Sequence, residues 1–158
     1  MHSEKEKNIK VFLFDLEGVL IPKNISDDSA PAVKSIEAAG RFFNLLNSLG
    51  YHFGIVTMRS EGYLIEQLKK IPGCIVITST IDKVTPVEAM LKNIDAGFDN
   101  LFYMGDDMFD IPLLNKASLS AAPSNAHKEV KRIAGAVITY AIVEDLFDYI
   151  LKEIIGKK

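Results

Sequence analysis

Residues 11–20 read Val11-Phe12-Leu13-Phe14-Asp15-Leu16-Glu17-Gly18-Val19-Leu20, an apolar run that closes on two acids and a glycine. Consecutive apolar residues followed by turn chemistry read as a strand buried on both faces. Strands of that kind belong to parallel sheets covered by helices on both sides. An acid at the carboxyl end of such a strand stands where open parallel sheets bind their ligands.

The rest of the chain repeats this pattern. Tyr51–Thr57, Cys74–Thr78, Leu101–Met104, Ser118–Ala121 and Ala136–Ile138 read as further strands. Helical spacing predicts helices over Val33–Leu49, Glu61–Lys70, Pro86–Ala96, Phe109–Lys116, Ala126–Ala134 and Val143–Ile155. Ser60 is placed to cap the second of these, and Thr85-Pro86 opens the third. Residues 21–31 carry Pro22, Asn24, Asp27, Asp28 and Pro31 and read as a loop. Strict alternation of strand and helix predicts an α/β fold with a central parallel sheet. The expected organisation is one domain over residues 1–158, with residues 1–9 a flexible terminus.

Composition narrows the function classes. An apolar share of 48% in 158 residues supports a sizeable core. A net charge of -3 argues against a nucleic-acid binder, which needs a basic stripe. No apolar run is long enough to span a bilayer, and the first ten residues hold no apolar block of the secretory kind. The single cysteine, Cys74, sits in an apolar run and reads as a buried core thiol, consistent with a reducing cytoplasm. His2, His52 and His127 have no metal-ligand spacing with one another.

The strand ends carry chemistry. After the first strand come Asp15 and Glu17, after the second Thr57 and Arg59, after the third Lys83, and after the fourth Asp106, Asp107 and Asp110. Taken singly, each has a plainer reading. Asp15 or Asp106-Asp107 can cap a turn or helix, Lys83 can be a solvated charge, and Thr57 can simply end a strand. Together they gather acids, a hydroxyl and two cations at one edge of the sheet. Crowded carboxylates are tolerable once a hard cation neutralises them, and oxygen ligands select magnesium or calcium.

In order and context these stretches resemble the haloacid dehalogenase superfamily. They are Phe14-Asp15-Leu16-Glu17-Gly18-Val19-Leu20, Ile55-Val56-Thr57-Met58-Arg59-Ser60, Lys83, and Gly105-Asp106-Asp107-Met108-Phe109-Asp110-Ile111-Pro112. The short spacing between the first two leaves no room for a cap domain. From Gly105 to Val137 the chain is most similar to the capless phosphatases of 3-deoxy-manno-octulosonate 8-phosphate and nonulosonate 9-phosphates. The resemblance implies a three-layer Rossmann-like sandwich and a magnesium-dependent phosphomonoesterase acting on a small sugar or sugar-acid phosphate. It implies Asp15 as nucleophile and Glu17 as acid and base, with Thr57, Lys83 and Arg59 on the substrate. Magnesium would lie on Asp15, the Glu17 backbone carbonyl and Asp106, with Asp107 and Asp110 in its outer shell. It further implies a cytoplasmic homotetramer whose neighbours roof the active site.

Three departures stand out. Glu17 occupies a position where the family usually has aspartate. An Arg-Asp-Gly expected before the helix leading to the second motif is matched by Ala38-Ala39-Gly40. A glycine-rich tail with an arginine is replaced by Tyr140-Ala141-Ile142-Val143-Glu144-Asp145. Two other readings share the scaffold: a non-catalytic binding or regulatory protein, motivated by these departures, and a dehalogenase. Lys83 and the acid-rich fourth motif favour a metal and a phosphate over the latter.

Overall fold

The computed structural model describes residues 3–156. Its strands are β1 (Val11–Phe14), β2 (His52–Val56), β3 (Cys74–Ile77), β4 (Leu101–Met104), β5 (Leu119–Pro123) and β6 (Ala136–Ile138). All pair in parallel, in the order β3-β2-β1-β4-β5-β6. The helices are α1 (Glu4–Lys7), α2 (Ala30–Ser48), α3 (Tyr63–Lys69), α4 (Val84–Asn93), α5 (Ile111–Lys116), α6 (Lys128–Ile133) and α7 (Val143–Tyr149). The α/β sandwich expected from the alternation is therefore present.

Alternation within β1 sorts the core into two layers. Phe12 and Phe14 face a cluster with Phe42 and Phe43 of α2, Leu64 of α3 and Phe147 of α7. Val11 and Leu13 face the other cluster, with Val87 and Leu91 of α4, Leu113 of α5 and Val130 of α6. Phe42 stacks on Phe147 at 4.2 Å between ring centroids, tying α2 to α7. Strand order reverses between β1 and β4, so the crevice of an open α/β sheet lies between their carboxyl ends.

Several boundaries differ from the sequence reading. Ahead of β1 the described residues form α1, capped by Ser3 with Glu6 completing the capping box, and Ile9 is buried. Ser60 caps nothing. Helix α3 begins later, after Gly62, because the backbone of residues 57–62 first turns Arg59 into the cleft. Helix α4 starts ahead of Thr85-Pro86, where Asp82 accepts bonds from the Val84 and Thr85 amides. The short helix at Phe109 divides into a 3-10 turn (Met108–Asp110) and α5. The last helix continues beyond Tyr149 as a π-helical segment (Ile150–Ile155). Ala38 and Ala39 are core residues in the middle of α2, not residues ahead of a helix. Cys74 lies on edge strand β3 and is only partly buried. His2 lies outside the described residues. No helix among them is long and apolar enough to cross a membrane.

Candidate active site

Strand β1 ends at Phe14, and the Asp15 amide still donates to the Met104 carbonyl of β4 at 2.9 Å. That last ladder bond fixes Asp15 at the switch point. The chain then turns tightly, with Gly18 donating to the Ile21 carbonyl at 2.7 Å. Gly18 has a φ of +86°, and a Cβ there would lie 1.9 Å from Asp106 Oδ2. Only glycine permits this close approach of the first turn to Asp106.

The expected residues converge. Asp15, Thr57, Lys83, Asp106 and Asp110 are the buried polar and charged side chains of the described core. One carboxylate oxygen each from Asp15, Asp106 and Asp110 lies within 4.8 Å of the others. Lys83, directly ahead of α4, places its Nζ 3.3 Å from Asp15 Oδ1 and 2.6 Å from Asp110 Oδ1. Asp15, Thr57, Lys83 and Asp106 line a cleft of about 250 Å³ with Glu17, Lys23, Asn24, Met58, Arg59, Asp107 and Phe109, and Asp110 lies behind them.

Asp110 is wholly enclosed and fully satisfied. Its Oδ1 accepts from Lys83 and from the Tyr103 hydroxyl, each at 2.6 Å. Its Oδ2 accepts from the Asp106 and Asp107 amides at 3.0 and 3.1 Å. With four donors in place, Asp110 orients Lys83 and the Asp106 backbone. Asp107 accepts from the Phe109 amide at 3.2 Å and caps the 3-10 turn, so the plainer capping role holds for this aspartate. Asp106 is different: its Oδ1 is the buried side-chain oxygen without a partner among the described residues. An enclosed carboxylate oxygen lacking a donor, beside two further acids, fits an oxygen-ligated divalent cation. Lys23 Nζ stands 3.0 Å from the other oxygen of Asp106.

The charges show the same crowding. Burial, and then the negative charge of Asp110, push the Asp15 carboxyl well above the usual carboxylate range; Lys83 only partly offsets them. For Lys83, burial alone would lower the pKa, but Asp15 and Asp110 outweigh it and hold the ammonium charged.

Three participants lay beyond sequence reasoning. Tyr103, in the middle of β4, is a buried phenol that donates to Asp110. Lys23 and Asp27 come from the loop before α2. Asp27 Oδ1 meets Arg59 Nη1 at 2.5 Å. The other edge of Arg59 holds Glu17, with Nε at 3.0 Å and Nη2 at 2.5 Å from Oε1. The available signal was a clustering of Lys23, Asn24, Asp27 and Asp28 directly after the first motif.

The profile of the haloacid dehalogenase-like hydrolases matches residues 64–145, just over half of the 158 residues. The chain belongs to this hydrolase family. The matched stretch contains Lys83 and the whole of Gly105–Pro112, and the turn with Asp15 precedes it. Among solved structures this haloacid dehalogenase-like chain is similar to the 3-deoxy-D-manno-octulosonate 8-phosphate phosphatase of Moraxella catarrhalis, a complex with magnesium, phosphate and a KDO molecule. The identity is 21%, coverage is 94% of this chain and 89% of that one, and the TM-score is 0.78. The cobalt-bound phosphatase of Haemophilus influenzae matches at 19% identity, with coverage of 94% and 91% and a TM-score of 0.77. The Yersinia pestis phosphatase matches at 19%, with coverage of 97% and 86% and a TM-score of 0.76. At these identities the likeness is one of fold.

Proposed function

We propose that this chain is a magnesium-dependent phosphomonoesterase acting on a small sugar or sugar-acid phosphate through an aspartyl-phosphate. The observation that carries the reading is the pairing of Asp15 with Lys83 Nζ beside the unpartnered oxygen of Asp106. A nucleophilic carboxylate, a fixed ammonium and an acid oxygen able to take a cation are what phosphoryl transfer requires. Magnesium and phosphate in the Moraxella catarrhalis structure support the same choice.

Asp15 and Asp106, with the Glu17 backbone carbonyl, would hold the ion, and Asp110 and Asp107 would support it from outside. When bound, magnesium neutralises charge on the phosphoryl oxygens. The remaining steps belong to the chain. Thr57 and Lys83 bind and orient the phosphoryl group. Asp15 attacks phosphorus as the bond to the alcohol oxygen breaks, and Glu17 delivers a proton to that oxygen. Water then attacks the aspartyl-phosphate, its proton passes to Glu17, and breakage of the phosphorus–Asp15 bond releases phosphate. Glu17 binds Arg59 through Oε1 alone, which leaves Oε2 without a protein partner among the described residues. A cleft of about 250 Å³ suits a phosphoryl group on a small alcohol. A cytoplasmic homotetramer belongs to the same proposal. Exposed Met58, Met108 and Phe109 near the cleft support an apolar contact there, and sedimentation velocity checks it.

The test is turnover of p-nitrophenyl phosphate and a panel of sugar phosphates with magnesium. We expect the Asp15→Asn variant to lose at least about 10³-fold in kcat while keeping its fold by circular dichroism. Turnover that survives this substitution would remove Asp15 as nucleophile. A wild-type chain inert toward the whole panel would favour the non-catalytic reading.

A further inference from the structure

The loop between β1 and α2 does more than connect them. Asp27, within it, is pinned from two sides. Its Oδ1 binds Arg59 Nη1 at 2.5 Å, and its Oδ2 accepts from the Leu64 amide in the first turn of α3, at 3.4 Å. Gly62 makes room for it. With a φ of +143°, residue 62 sits where side chains are rarely tolerated, and a Cβ there would lie 2.7 Å from Asp27 Oδ2. The same Cβ would lie 3.4 Å from Arg59 Nη1. The backbone of 62 is thus shaped around the Asp27–Arg59 pair.

Arg59 is consequently engaged at all three guanidinium nitrogens, Nη1 by Asp27 and Nε with Nη2 by Glu17 Oε1. The guanidinium is planar and rigid, so a carboxylate fixing one corner also sets the direction of the opposite edge. Without Asp27, a long arginine side chain would be held at its tip by Glu17 alone. Both would then drift together, because neither has another anchor in the described contacts. Glu17 especially needs one, since its extra methylene adds a rotatable bond compared with the aspartate usual at this place.

We propose that Asp27 is a positioning residue for the leaving-group step: it fixes Arg59, which holds Oε1 of Glu17 and thereby orients the carboxyl that protonates the departing oxygen. This inference rests on the phosphomonoesterase reading above.

The chemistry supplies a test that a merely structural role would not satisfy. An alkyl phosphate expels a strongly basic alkoxide and needs the proton. p-Nitrophenyl phosphate expels a stable phenolate and does not. The value of kcat/KM reports events up to loss of that group, so we compare it for glycerol phosphate, or the best alkyl ester of the panel, and for p-nitrophenyl phosphate. In Asp27→Ala we expect the alkyl value to fall about 10- to 100-fold. The aryl value should stay within about threefold, because the step it reports gains little from a proton. Asp27→Asn, which keeps an acceptor oxygen but loses the charge, should show the same split to a smaller degree. The alkyl-to-aryl ratio is independent of the folded fraction, so a poorly folding variant still gives an answer. Equal losses on both substrates, or no loss on either, would overturn the inference. So would a wild-type chain that cleaves the aryl ester alone, while leaving the phosphatase reading intact. A wild type that cleaves neither overturns both.

Discussion

Replacing Tyr103 by phenylalanine deletes one hydroxyl from the enclosed network and nothing else. The phenol donates to Asp110 Oδ1 at 2.6 Å, and Asp110 keeps Lys83 and two backbone amides after its loss. No donor is stranded, and the ring volume is unchanged, so no cavity term enters. What disappears is the bond to buried Asp110 and a longer one that the hydroxyl accepts from Lys83 Nζ at 3.3 Å, together worth about 2 kcal/mol net, while Lys83 keeps Asp110 and Asp15. In a domain of this size that lowers the melting temperature by roughly 4–8 °C. The pH dependence sharpens the expectation. Burial, and then the charges of Asp110 and Asp15, push the Tyr103 hydroxyl far above its ordinary value of 10.0. The folded chain therefore keeps a proton that the unfolded chain releases above about pH 10. There the unfolded state binds fewer protons, so stability falls as pH rises, by about 1.4 kcal/mol per unit. The phenylalanine variant lacks this loss. Its deficit of about 2 kcal/mol at pH 8 should narrow to about 0.6 kcal/mol at pH 11. The chain has no tryptophan, so urea melts followed by far-ultraviolet circular dichroism are the suitable assay. A deficit below about 0.5 kcal/mol at pH 8, or one that does not narrow by pH 11, would refute a dry hydrogen bond to Asp110.

Two further outcomes are expected from the same geometry. In Gly18→Ala the new Cβ would fall 1.9 Å from Asp106 Oδ2, so Asp106 must move. Magnesium affinity by titration calorimetry should weaken at least about 10-fold, while circular dichroism at 25 °C stays native. Burial pushes the Cys74 thiol up to about 12, so the thiolate is scarce at pH 8. Its reaction with a disulfide reagent should run about 10³-fold slower in the native chain than in urea, and comparable rates would show that the thiol is solvated.

Much of the fold was readable because its signals are local. Strands β4 and β6 match their expected bounds to the residue, since a four- or three-residue apolar run between turn residues has one natural reading. Asp15, Thr57, Lys83 and Asp106 were legible as the polar residues just past successive strands, and the parallel order brings those strand ends together. The parts that escaped depend on contacts between distant residues. Tyr103 sits in a run that would read the same with phenylalanine, and only the fold, which brings Asp110 of the 3-10 turn and Lys83 to its hydroxyl, reveals partners for it. Asp27 and Arg59 are 32 positions apart, and no periodicity links them. Ser60 is a good cap by type, but a helix starting there would pull Arg59 out of the cleft. Helix α1 was legible in principle: Ser3 and Glu6 form a capping box, a signal easily missed in a four-residue helix with no buried side chain.

Exposure divides the site into two halves with different consequences. Asp15, Thr57, Lys83 and Asp106 are each at most 7% exposed. The Glu17, Lys23 and Asp107 side chains are 43%, 49% and 46% exposed. On the proposed function, the groups that handle the phosphoryl end are therefore packed, while Glu17, which serves the departing alcohol, is open to water, as are Lys23 and Asp107 at the rim of the metal-binding acids. Packed groups are held by close packing and, for Lys83 and the Asp106 backbone, by Asp110. An exposed carboxyl keeps its place only if something ties it, and in this chain the tie runs through Arg59 to the loop ahead of α2. The departure from the family's usual aspartate falls on this open half. Length can be added there without disturbing the floor, provided the longer side chain is anchored from outside. Selectivity should obey the same division: strict for the phosphate monoester, tolerant of the alcohol, and adjustable by changes in residues 22–29 that leave the buried acids untouched.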